Sequence, residues 1–119
     1  MRDQSNRARG QWGENRAAHH LRRAGYIIIE RNWRSTDRHV RGEIDIIARD
    51  GVVVVFCEVK ARRSADYGGA ACAVDGGKQD QIRRLADSWM RSADVSFDGI
   101  RFDVVAIDGV RLTHYEAAF

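Results

Sequence analysis

Apolar positions recur at two periods along this chain, and the switches between them mark out seven elements. Trp12, Ala17, Ala18, Leu21 and Ala24 fall at helical spacing, which predicts a helix over about Ala8–Ala24 with Gly25 placed to end it. Tyr26–Glu30 reads as a strand. Gly42–Arg49 and Val52–Lys60 are rich in Ile and Val and flank Asp50-Gly51, a dipeptide that favours a two-residue hairpin turn. A loop over Ala61–Val74, holding Gly68 and Gly69, leads to a second helix over about Gly77–Arg91. That helix shows Ile82, Leu85, Ala86 and Trp89 on one face and Asp75 as its N-cap. The tail predicts a strand at Arg101–Ile107, an Asp108-Gly109 turn and Val110–Tyr115 as the hairpin partner. The order is αβββαββ. Hairpins joined to two helices imply a mixed sheet with a helix on each face or both on one, an α/β domain bordering on α+β.

Polar residues that break this pattern carry the chemistry. With Asp50-Gly51 at the turn corners, residues whose numbers sum to 101 oppose each other: Asp45 and Phe56, Glu43 and Glu58, Arg41 and Lys60. Period two then places Glu43, Asp45, Glu58 and Lys60 on one face of the ribbon. Opposed like charges destabilise a sheet, so this cluster calls for a cation or for Lys60 to neutralise it. Diagonal neighbours lie ~7–8 Å apart at the backbone, close enough for two carboxylates to converge on one ion. Hard oxygen donors suit Mg²⁺ or Mn²⁺, and so few ligands leave positions for water or a substrate phosphate, the open type of site that does catalysis. The competing reading is a solvated, metal-free acidic face, and the choice depends on the register, which a bulge would change.

Two further residues break the pattern. Glu14 precedes Ala17, Ala18 and Leu21 at helical spacing and so lies on the apolar stripe of the first helix, where a carboxylate needs a partner. It either joins the metal site from above the sheet or serves as a helix-start charge or ion-pair partner. Lys78, beside Gln79, falls on the buried stripe of the second helix near its N-terminus, where an anion is favoured. A phosphate contact and a lysine stem snorkelling over the core edge are both consistent with that position. His19 and His20 are adjacent and cannot share a helix face, while His39 and His114 stand alone, so no zinc-type spacing exists. Serine-elbow and dinucleotide-binding patterns are absent. Trp12, Trp33 and Trp89 read as core or interface residues ahead of base-stacking platforms.

Composition bounds these readings. The 119 residues, 44% hydrophobic and without proline, suit one domain over 1–119, with residues 1–7 as a flexible basic arm. No apolar run approaches the roughly 18 residues needed to cross a bilayer, and no apolar segment follows the N-terminal arginines, which together predict a soluble cytoplasmic protein without a membrane role. That compartment disfavours a disulfide between Cys57 and Cys72, and Cys57 alternates with the acidic face, toward the core. Met1–Arg41 holds ten arginines against four acids, whereas Gly42–Phe119 holds ten basic and thirteen acidic residues. The basic end is a candidate phosphate-facing surface. Against this, 18 of the 20 basic residues are Arg, a bias that genomic base composition can produce. The same bias makes the two exceptions, Lys60 and Lys78, informative, since a compact ammonium does what a guanidinium cannot imitate.

Gly42-Glu43-Ile44-Asp45, followed after Ile46–Cys57 by Glu58-Val59-Lys60, resembles the split Asp…Glu-x-Lys signature of the PD-(D/E)XK nuclease superfamily, set within the αβββαβ order that superfamily uses. The superfamily's proline is missing, with Glu43-Ile44 standing ahead of Asp45. More narrowly, Gly13-Glu14, Gly25-Tyr26, Arg31-Asn32-Trp33-Arg34, the hairpin, Ala73-Val74, Lys78-Gln79 and Arg101–Ile107 resemble the YraN-like family of uncharacterised bacterial proteins, over roughly Gly13 to Ile107. That family is similar to archaeal Holliday-junction resolvases. The resemblance implies a restriction-endonuclease-like core with an extra C-terminal strand, and a Mg²⁺-dependent endonuclease, with Mn²⁺ as substitute, acting on DNA at branched or structured sites. Asp45 and Glu58 would hold the metal, Lys60 and Glu14 would complete the catalytic set, and Arg62, Arg63, Lys78 and Gln79 would contact nucleic acid. A homodimer would follow for a symmetric four-way junction, and the loop Ser64–Cys72 would close over substrate. The alternative is a non-catalytic nucleic-acid-binding or adaptor protein that retains the fold.

Overall fold

The computed structural model describes the backbone of residues 2–63 and 74–119, and side chains from residue 8 onward within those ranges. Its elements are α1 (Arg2–Arg23), β1 (Ile27–Trp33), β2 (Ile44–Asp50), β3 (Val53–Arg62), α2 (Gly76–Ser92), β4 (Gly99–Asp108) and β5 (Arg111–Tyr115). The expected order and fold class hold. One sheet runs β1-β2-β3-β4-β5, with β3 and β4 parallel across the α2 crossover and every other pair antiparallel. The Ala61–Val74 loop, with Cys72, lies for the most part outside the described residues, as does the expectation that Ser64–Cys72 closes over substrate.

Boundaries depart from expectation where periodicity is silent. The helix expected from Ala8 begins at Arg2, because the polar run Arg2–Arg7 carries no apolar marker from which a helical period could be read. β1 continues past Glu30 to Trp33 through a bulge: Ile28 pairs with Ala48 but Glu30 with Ile47. Both hairpin turns sit one residue later than the Asp-Gly reading placed them. Asp50 pairs with Val53 and Asp108 with Arg111, so Gly51-Val52 and Gly109-Val110 are the corners. Each glycine has φ +63 while the valine after it stays out of the left-handed region, the signature of a II′ turn with glycine first.

Each face of the sheet carries one helix. Ala17, Ala18 and Leu21 of α1 pack on Ile46, Ala48, Val55, Cys57, Val105 and Ile107, whereas Ile82, Leu85, Ala86 and Trp89 of α2 pack on Ile47, Val54, Phe56 and Val104. Covering both faces leaves β3 buried without a break from Val54 to Val59, and each large apolar side chain so enclosed stabilises by about 1.5–3 kcal/mol. Cys57 is a free, buried thiol. Of the core or interface roles expected for Trp12, the core is excluded: it is 48% exposed, with the Arg16 guanidinium 5.6 Å over its ring. The next residue, Gly13, lets α1 lie close to β3, since a Cβ there would stand 3.0 Å from that of Ala61.

Candidate active site

The close approach at Gly13 is what brings Glu14 over the strands. An open cleft of about 480 Å³ is lined by Arg9, Gly10 and Glu14 of α1, Glu43 and Asp45 at the start of β2, Glu58–Ala61 of β3, and Lys78 in the first turn of α2. Glu14, Asp45, Glu58 and Lys60 therefore meet in one place, as does Lys78. Asp75 caps α2 by accepting from the Lys78 amide at 3.0 Å, which sets that helix terminus at the cleft edge.

The hairpin register decides which carboxylates confront each other. The register pairs Ile46 with Cys57, so one step further brings Asp45 opposite Glu58. Glu43 therefore does not oppose Glu58, nor Asp45 Phe56, as the earlier turn assignment required, and Arg41 lies outside the ladder with its carbonyl accepting from Gln81 at 3.0 Å. The shift is two residues, so the faces are unchanged and the acidic residues keep their common side. Asp45 is 8% and Glu58 6% exposed. Asp45 accepts from the Val59 amide at 2.9 Å, yet burial, followed by the hydrogen bond and repulsion from Glu58, pushes its carboxyl up to about 9. Burial and the facing Glu58 thus favour the protonated form of Asp45, a preference that a cation bound between the two would reverse.

Among the described residues, the buried Glu58 oxygen Oε2 has no hydrogen-bond partner, and the Lys78 ammonium stands 3.5 Å from it. Lys60, expected to neutralise the cluster, is exposed at the cleft wall, and it is Lys78 that stands against Glu58. Glu14, Glu43 and Asp45 form a second group, each offering an oxygen within 4.8 Å of the others. Burial raises the Glu14 carboxyl, against a hydrogen bond from Asn32 that lowers it.

Asn32 was not singled out from the sequence. It follows the β1 bulge with φ 52, a left-handed conformation that asparagine tolerates, and its amide donates to Glu14 at 2.9 Å and to Glu43 at 3.2 Å. Arg34 donates to the other Glu43 oxygen at 3.1 Å, and Arg31 stands 3.9 Å from Glu14. The Arg31–Arg34 motif thus holds the outer carboxylates, a role to which its only pointer in the sequence was its place among the segments that carry the family resemblance. Arg9 was also missed, because it sits beyond the apolar stripe. Gln79 turns away from the cleft and donates to the Val74 carbonyl at 3.2 Å, and Arg62 and Arg63 lie at the end of β3 outside the cleft lining.

An αβββαβ core in which a strand aspartate meets a Glu-x-Lys from the next arm of a hairpin is the arrangement of the PD-(D/E)XK-like superfamily. Within it, the uncharacterised protein family UPF0102 matches residues 13–107, and the chain belongs to that family. A UPF0102 protein of Parafrankia sp. is 46% identical over 115 residues, covering 92% of this chain and 94% of its own length. Those of Frankia alni and Geobacter sulfurreducens are 42% and 43% identical, over 94% and 96% of this chain and 94% and 90% of their own lengths. Among the described residues no helix is long and apolar enough to cross a membrane.

Proposed function

We propose that this protein is a Mg²⁺-dependent endonuclease that hydrolyses phosphodiester bonds of DNA, with branched or structured DNA as its substrate. The observation that carries this reading is the buried Asp45–Glu58 pair, mutually repelling and with Glu58 Oε2 accepting no hydrogen bond among the described residues, in an open cleft beside the exposed Lys60. That donor set fits a hard divalent cation: oxygen ligands only, a carboxylate oxygen lacking a donor, and a pair that a positive charge would relieve. Asp45 and Glu58 would hold it, with Glu14 and Glu43 beside them for a second ion or for ordered water. Bound there, Mg²⁺ or Mn²⁺ supplies Lewis-acid neutralisation of the scissile phosphate and a more acidic water.

The remaining work falls to the chain. Lys60, exposed on the cleft wall, orients the attacking water and stabilises negative charge as it grows on the phosphorus oxygens. Lys78 balances Glu58 before substrate arrives, and Arg9 at the cleft mouth takes a neighbouring phosphate. Such contacts recognise backbone shape and leave base sequence unread. Two copies would be required to cut a symmetric junction.

The test is a panel of labelled linear, nicked and four-way-junction DNA, with matched RNA, incubated with wild type and with Lys60→Ala under Mg²⁺ and then Mn²⁺. Cleavage by wild type that Lys60→Ala loses by about 10²-fold or more supports the reading. Nucleic-acid binding without cleavage by either protein replaces it with a non-catalytic binding or adaptor role.

A further inference from the structure

The outer flank of α1 carries cations that the cleft does not use. Arg9, Arg16 and Arg23 recur every seven residues, which sets them ~10.5 Å apart along one side of the helix. Arg9 stands at the cleft, whereas Arg16 and Arg23, with His19, His20 and Leu112 of β5, line a separate recess of about 340 Å³. Glu14 is the only acidic residue between Arg7 and Arg23, and Asn32 holds it on the cleft side. The helix dipole accounts for basic residues in the last turn, His20, Arg22 and Arg23, but does not reach Arg9 or Arg16.

Two of these groups are held in place before any ligand arrives. Arg16 donates to the Val110 carbonyl at 2.5 Å and lies over the Trp12 ring. His20 Nε2 is 3.2 Å from His114 Nδ1, and His114 Nε2 is 2.7 Å from the fully buried Asp103 carboxylate. With His114 donating to Asp103, its Nδ1 can only accept, so His20 donates, and the ring is fixed by a chain that ends in the core. Burial and the neighbouring His114 and Arg16 lower the His20 pKa, so the ring shapes the wall of the recess, and its positive charge comes from Arg16, pre-set at the rim, and Arg23, which together make the concavity an anion site.

We propose that this flank is the track along which a nucleic-acid backbone leaves the cleft, and that the recess receives a backbone phosphate. The inference rests on the nuclease reading for what the cleft itself holds. From Arg9 to the His20–Arg23 segment is ~16–21 Å along the helix, which at ~3.4 Å per base pair places the second phosphate roughly five or six base pairs from the first. Substrate is thereby gripped on one arm at a fixed distance from the chemistry, a geometry that senses how the duplex leaves the cut site.

Fluorescence anisotropy of a labelled 20-bp DNA duplex, with the full-length protein and no divalent metal, tests this apart from cleavage. Arg16→Ala/Arg23→Ala is expected to bind about tenfold or more weakly and to lower the slope of log affinity against log salt by about 0.9, the value for one lost phosphate contact. Arg22→Ala, which lies outside the recess, serves as the matched control and is expected to change affinity by less than about threefold. Arg23→Glu, an exposed change with no packing to lose, gives the same direction if the double variant fails to fold. Wild-type binding with an unchanged double variant overturns the track and leaves the nuclease reading intact. Weakened binding in a protein that never cuts supports the track and removes the nuclease reading, and a wild type that does not bind duplex overturns the track, with the nuclease reading then decided by the cleavage panel alone.

Discussion

Replacing Asp45 by asparagine should make the metal-free protein more stable while abolishing the proposed activity. In the fold, the Asp45 carboxyl is pushed up to about 9 from an ordinary 3.8 by burial and by Glu58. A carboxyl raised in this way contributes its full proton-linked stability below about pH 4 and loses it as pH rises toward the folded value. At pH 7 the unfolded chain is ionised and the folded one protonated, a difference of about three pH units at ~1.4 kcal/mol each, or about 4 kcal/mol. Asparagine needs no proton, can accept from the Val59 amide as Asp45 does, and can donate to Glu58. Burial of the amide returns about 1–2 kcal/mol of that gain, leaving ~2–3 kcal/mol, which for a domain of this size raises Tm by roughly 8–15 °C. Thermal unfolding of wild type and Asp45→Asn in EDTA, at pH 4 and at pH 7, measures it. The gap should be large at pH 7 and close at pH 4. A variant no more stable than wild type at pH 7, or a gap of the same size at both pH values, would refute the premise that these carboxyls are forced together against their preference.

Mg²⁺ should raise the wild-type Tm, by more at pH 8 than at pH 6, because a cation at Asp45 and Glu58 must displace the proton that the raised Asp45 carboxyl holds; a metal effect independent of pH would argue against that displacement. Asp103 is fully buried, and although burial alone would raise its carboxyl, hydrogen bonds from His114, Arg101 and the Ala117 amide leave it lowered. Asp103→Ala strands these donors and should destabilise by about 3–5 kcal/mol in urea unfolding, and the stability Asp103 confers, full above about pH 4, should disappear as acid protonates it. Gly42 sits at φ +98, where an added Cβ would collide with Gln81, so Gly42→Ala should cost about 1–3 kcal/mol and disturb the chain entering β2; an unchanged denaturation midpoint would exclude that contact. Lys60→Ala, at an exposed position, should stay within about 0.5 kcal/mol of wild-type stability by the same measurement.

The sequence by itself determined the element order, the two hairpins, the buried face of α2 and the shared side of Asp45, Glu58 and Lys60. Those properties follow from local rules: a period of 3.6 or 2, glycines where the chain must turn, and side chains that alternate across a strand. The parity of a strand survives a register error of two residues, which is why the site was legible even though the turn was placed one residue too early. What only the tertiary structure decided was which partner each charge received. Asp45 faces Glu58 because the II′ turn starts at Gly51, and Glu14 joins the cleft because Gly13 admits α1 close to Ala61. Asn32 bridges Glu14 and Glu43 because a bulge redirects β1, Lys78 reaches Glu58 because α2 begins where Asp75 caps it, and His20 is anchored through β5 to Asp103. Each of these contacts joins residues distant in sequence, and packing between elements, which leaves no periodic mark along the chain, selects among them.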